Sequence, residues 1–95
     1  MNNLWDDRFD RVLSADGTHR TYAIAGQIFF VAIDDLLAHF DFHEKLEKVT
    51  LDLSHAHIWD RAAVGAIDQI VIKFRRTGAE VELLGLNEAS ATVRR

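Results

Sequence analysis

The sequence contains no cysteine and no proline, and its net charge shows no excess of basic residues. The missing cysteine excludes disulfides, thiolate nucleophiles and cysteine-ligated zinc or iron–sulfur centres. Eleven basic residues face fifteen acidic ones, for a net charge of −4. That balance lacks the concentrated positive surface that nucleic-acid binding requires. The one internal basic cluster, Lys73, Arg75 and Arg76, falls in the last turns of a predicted helix, where cations complement the helix dipole. No apolar run approaches the ~20 residues that span a bilayer. The opening segment MNNLWDDRFD is acidic and lacks the basic region and apolar core of a signal peptide. A soluble, cytoplasmic chain is the expectation. There is no internal repeat, low-complexity tract or Pro/Gly/Ser linker.

What is present fits one small folded domain. Ninety-five residues with 48% apolar content support a single core of two or three layers. Residues 1–7 show no periodicity and read as a linker or flexible segment, leaving 8–95 as the domain. Asp16 and Gly17 mark a turn, so residues 9–25 read as a β-hairpin. Gly26 interrupts the return strand, and residues 27–31 read as a bulge or bend followed by a separate short strand. Ile33, Leu36, Leu37 and Phe40 recur at helical spacing after Asp34 and Asp35, which predicts a short amphipathic helix over 32–40.

The chain is organised around residues 48–66. Val49 to Leu53 is apolar and β-favouring, so it reads as a buried strand. Residues 54–59 are expected to turn the chain. Asp60 then caps a long helix, with Val64, Ile67, Val71 and Phe74 on its inner face and Asp68, Gln69, Lys73 and Arg76 on its wet side. Gly78 is the expected stop. Residues 81–84 form a further strand, and Asn87 begins a last helix that is cut short at Arg95. Strands separated by helices imply parallel pairing. The predicted fold is α/β: a small mixed sheet with an antiparallel amino-terminal hairpin, then parallel β-α-β units, packed with helices.

A strand feeding a loop that feeds a helix N-terminus is a common place for a site. The candidate site is therefore residues 54–61, with the start of the long helix. Ser54, His55, His57, Asp60, Arg61 and Ala62 are its candidate partner- or anion-binding residues. The Arg61 guanidinium and the amides of Ala62 and Ala63 offer groups for an anion or a partner's carboxylate; the plain alternative is a solvated arginine. Five histidines invite a metal reading, but zinc needs three or four converging ligands and no dense ligand motif occurs. No metal or other cofactor is expected. Ser54, a histidine and Asp52 or Asp60 make a poor hydrolase triad, without a nucleophile elbow or an oxyanion donor set. No catalytic residue is assigned. Asp52 interrupts a buried strand and needs amide or hydroxyl partners. Trp59 reads as cover for the core, with an exposed docking patch as the alternative, and Gly65 as a point of close helix–sheet packing.

Several segments in one order resemble the STAS domain, named for sulfate transporters and anti-sigma factor antagonists. They are Val49 to Gly65 and the ending GAEVELLGLN from Gly78. Phe42-His43-Glu44, DLSHAHIWD from Asp52 and GLNEASAT from Gly85 look most like the cytoplasmic carboxy-terminal domain of bacterial sulfate permease family transporters. The resemblance implies a non-enzymatic domain acting through protein contacts at the inner face of the membrane. Its partners would be the transmembrane domain of the same transporter or a cytoplasmic regulatory protein. The other branch of the family implies a free-standing partner of an anti-sigma factor-like kinase. In that branch a phosphorylatable serine follows the aspartate at the start of the long helix. Here Arg61 stands in that place, followed by Ala62 and Ala63, so no phosphorylation site is expected there.

Overall fold

The computed structural model describes residues 9–29 and 33–86. Six elements follow one another: β1 (Phe9–Leu13), β2 (His19–Ile28), α1 (Ile33–Leu37), β3 (Lys48–Ile58), α2 (Arg61–Arg76) and β4 (Glu80–Leu84). They form one four-stranded sheet in the order β1-β2-β3-β4. The hairpin β1–β2 is antiparallel, while β2–β3 and β3–β4 are parallel. Parallel neighbours need crossovers, and α1 and α2 supply them. Architecture and hairpin agree with the sequence reading.

Asp16 closes the hairpin turn. Its carboxylate accepts from the hydroxyls of Ser14 and Thr18 at 2.6 and 2.8 Å and from the Thr18 amide at 3.1 Å. Gly17 takes φ +76°, which glycine adopts without steric cost. β2 then runs through Gly26 to Ile28. The separate short strand expected after Gly26 is therefore part of β2. Residues 30–32, where that strand was expected to end and α1 to begin, lie outside the described residues. The last helix, from Asn87, and the segment 1–7 lie outside them as well.

The larger departure is in β3. Residues 54–58, expected as a loop, continue the strand to Ile58. The pairing steps from Ala23↔Asp52 to Ala25↔His55, so β3 places Leu53 and Ser54 opposite the single residue Ile24. This bulge resets the two-residue alternation of the strand. Before it Val49, Leu51 and Leu53 point into the core; after it Ala56 and Ile58 do. Without the extra residue His55 and His57 would face inward. The bulge turns them out, and the broken alternation is what made the segment read as a loop.

The core lies on one face of the sheet. Tyr22, Ile24, Ile28, Leu51, Leu53 and Ile58 meet Leu36 from α1 and Ile67, Ile70, Val71 and Phe74 from α2. Tyr22 packs on Phe40 and Phe74 with ring centroids 4.7 and 5.7 Å apart. The connection after α1 is fixed to β2 by a forked ion pair, Arg20 Nε to Glu44 Oε1 at 2.9 Å and Arg20 Nη2 to Glu44 Oε2 at 2.5 Å. On the other face Thr50, the one buried polar residue among those described, is satisfied by His19 Nε2 at 2.8 Å and Glu82 Oε1 at 3.4 Å.

Candidate functional site

The predicted site residues gather at the C-terminal end of β3 and the start of α2. Asp60 adopts an extended backbone, and its Oδ1 accepts the Ala63 amide at 2.8 Å. This is N-capping as the sequence anticipated. It also consumes one of the two amides considered for an anion, so Ala63 does not contribute to such a site. Arg61 and Ala62 are exposed. No acidic side chain in the first turn offsets the Arg61 guanidinium. Among the described residues Arg61 makes no ion pair, and its charge is free to meet a partner.

Asp52 and Ser54 form a closed unit across the bulge. Asp52 Oδ1 accepts the Ser54 amide at 3.0 Å and the Ser54 hydroxyl at 2.5 Å. These two bonds, the hydroxyl first, hold the Asp52 carboxyl below its ordinary pKa. The aspartate is thus the structural carboxylate its position in the strand demanded. Ser54 gives its proton to a carboxylate that is already the acceptor, and the described hydrogen bonds bring no histidine to it. The pair is a locked corner, without the base and oxyanion donors of a nucleophilic site.

His55 and His57 are exposed on the sheet face turned away from α1 and α2, beside Ala25 and Gln27 of β2. They do share a face, for the reason the alternation gives. The other described histidines are engaged elsewhere or stand apart. His19 bonds Thr50, His39 Nδ1 lies 2.9 Å from the Asp35 carbonyl, and the His43 amide bonds Asp41 at 2.9 Å. Among the described residues no group of three or more candidate ligands converges.

Trp59 departs from the expected core cover. It is 42% exposed and lies parallel to Phe29, itself 45% exposed, with centroids 6.0 Å apart and planes 8° from parallel. Its indole Nε1–H donates to Gln27 Oε1. Because β2 and β3 are parallel and in register at Ile28↔Ile58, the residues just past each strand come side by side. Sequence reasoning missed Phe29 and Gln27 as members of this corner because β2 was thought to break at Gly26. Gly65 is a second correction. It is exposed, and a Cβ there would meet nothing within 4 Å, so it does not bring α2 close to the sheet. The glycine that does permit close approach is Gly85, after β4. At φ +75° its Cβ would lie 2.6 Å from Ser54 Cα.

With this geometry in place, comparison with known proteins gives three findings. The family model "STAS domain" matches residues 11–94. The "Putative sulfate transporter YbaR" of Bacillus subtilis (strain 168) is 47% identical over 74 residues. The match takes in 78% of this chain and 16% of that protein, so this chain spans about a sixth of its relative's length. Among solved structures, the antisigma-factor antagonist STAS domain from Rhodobacter sphaeroides is 49% identical, with a TM-score of 0.88 over 90% of this chain and 92% of that one. A chain of the Mglu crystal structure shares the fold alone, at 19% identity and a TM-score of 0.64 over 87% of this chain and 21% of that one.

Proposed function

The chain belongs to the STAS domain family, and from that premise we propose that it is a non-enzymatic interaction domain of a sulfate-permease-type anion transporter, working on the cytoplasmic side of the membrane. The observation that carries this reading is the 47% identity to a putative sulfate transporter of which the match takes in only 16%. In such a protein, transport chemistry belongs to the membrane part, while the STAS domain regulates or assembles the transporter through contacts. The exposed corner of Trp59, Arg61 and Ala62 is the surface proposed for those contacts, with His55 and His57 exposed on the opposite face of the sheet from α2. No described helix is long and apolar enough to cross a membrane, so the domain would act from beside the bilayer.

The solved relative favours a second reading. It is called an antisigma-factor antagonist, and this chain matches 92% of it. A free-standing STAS protein binding a signalling partner would fit that similarity. Arg61 argues against a serine switch at that place, because it has no hydroxyl to accept phosphate. The deciding experiment is the size and membrane partition of the native gene product, probed with an antibody against this domain. A large, detergent-requiring band supports the transporter reading; a small band in the soluble fraction transfers the assignment to the free-standing regulator. Under either reading Arg61→Glu should weaken binding of the native partner without unfolding the domain, and equal affinity for variant and parent would remove Arg61 from the surface.

A further inference from the structure

We propose that the groove between α1 and α2 docks an acidic amphipathic helix of a partner protein. The proposal deepens the interaction role given above and rests on it. Leu37 of α1 and Ala62, Ala66 and Ile70 of α2 line a groove of about 370 Å³, with Gly65, Gln69 and Lys73 along its outer side. The volume is at the small end for ligand clefts, which run from ~300 Å³. It suits apolar side chains projecting from a helix that lies on the surface, the mode by which grooves take amphipathic helices.

Two features on α2 choose the occupant. Gly65 is one. A mid-helix glycine costs ~1 kcal/mol against alanine, yet nothing in the described fold occupies the space a Cβ would take. The missing side chain leaves the helix backbone open to close approach from outside. Charge is the other. α2 carries Arg61, Lys73, Arg75 and Arg76 against Asp68 alone, in a chain whose net charge is −4. At four-residue spacing Arg61, Gly65, Gln69 and Lys73 form one row along the helix surface. The row has a cation at each end and the open position between them; Asp68, three residues on from Gly65, borders it as the one carboxylate of α2. Lys73 sits over the Phe42 ring at 5.2 Å from the centroid, which keeps its ammonium beside the groove. The carboxylates of α1, Asp34 and Asp35, stand in the first turn of the helix whose Leu37 lines the opposite wall. The complementary partner is therefore a helix whose acidic edge lies over α2 and whose apolar edge enters the groove.

The test uses the labelled chain and two synthetic three-turn helical peptides that share an apolar face, one edged with glutamates and the other with lysines. Amide chemical shifts report binding. The glutamate peptide should give saturable shifts at Ala62, Gly65, Gln69 and Lys73 that weaken with salt, and the lysine peptide should give none. Gly65→Leu fills the groove, and Lys73→Glu reverses one end of the row. Each should raise the Kd by about tenfold or more, equivalent to ~1.4 kcal/mol. Gly65 is exposed and leucine is the better helix former, so the first variant keeps its fold. No localised response, equal responses to both peptides, shifts centred on Phe29 and Trp59, or indifference to Gly65→Leu each overturns the proposal. Self-association of the free chain through α2 would assign the groove to a second copy and overturn it too. Failure here leaves the native band experiment unaffected, because that reads the whole gene product and not the groove.

Discussion

Gly85 shows how much a single position can depend on contacts far away in sequence. A side chain at φ +75° is strained, and its Cβ would also press on backbone, 2.7 Å from Ser54 N. Backbone cannot swing aside as a flexible side chain does. Gly85→Ala should lower stability by ~2 kcal/mol or more, measured by urea unfolding; a loss no larger than that of an ordinary surface substitution would show that the turn relaxes freely. The same bulge sets the chemistry of Asp52. Its carboxyl is held low first by the Ser54 hydroxyl and then by the Ser54 amide. A carboxyl lowered in the folded state contributes stability above its unfolded pKa and loses it as pH falls through the folded value. Ser54→Ala removes the larger cause. The Asp52 carboxyl, followed by carbon chemical shift, should then titrate at higher pH than in the parent, and the stability that Asp52 loses in acid should be smaller and be fully lost at a higher pH. An unchanged titration would mean that the amide alone sets it.

At the scale of the element, α2 carries two opposite effects within two turns. Its start depends on the Asp60 carboxylate, which satisfies the Ala63 amide. Asp60→Ala should cost ~1 kcal/mol, the usual loss for a cap. Gly65→Ala should instead stabilise by ~0.5–1 kcal/mol, because the helix loses a glycine and the new Cβ meets nothing. Thermal unfolding of the two single variants checks both signs. A destabilising Gly65→Ala would reveal a neighbour in the space that the groove is said to leave open. The far end of α2 was the more legible end. Lys73, Arg75 and Arg76 fill the last turn, and Gly78 follows with φ +95°, the left-handed stop that sequence alone identified. β3 was the least legible element, since its strand continues across a bulge that resets which residues face inward.

At the scale of the whole molecule, both helices cover one face of the sheet and the core converges on Tyr22. Its ring is fully buried, and its hydroxyl oxygen accepts the Asp41 amide at 3.3 Å. Burial is the leading cause that raises its pKa above that of an ordinary phenol. The neutral phenol is therefore favoured in the folded state. The stability this gives is fully present below the unfolded pKa and is lost as pH rises through the folded one. Ultraviolet titration should show the one tyrosine of the chain ionising only with alkaline unfolding, and in the normal range once the chain is denatured. Ionisation at an ordinary pH in the native protein would contradict the packing around Phe40 and Phe74.

The sequence by itself determined the family, the element order of the described residues outside 26–29 and 54–58, the cap at Asp60 and the stop at Gly78. These rest on short-range rules: periodicity, turn chemistry and the end preferences of helices act over a few residues and can be read locally. The tertiary structure decided the rest. Whether Gly26 breaks β2 depended on the parallel partner β3, whose hydrogen bonds carry the strand through it. Which way His55 and His57 face depended on one extra residue in the β2–β3 register. Trp59 lies exposed against Phe29 because two parallel strands end side by side, 30 residues apart in the chain. Gly65 stands open and Gly85 closed although both are glycines, because a neighbour's backbone occupies the space at one and none does at the other. Contacts between distant segments fix these outcomes, and no local pattern encodes them.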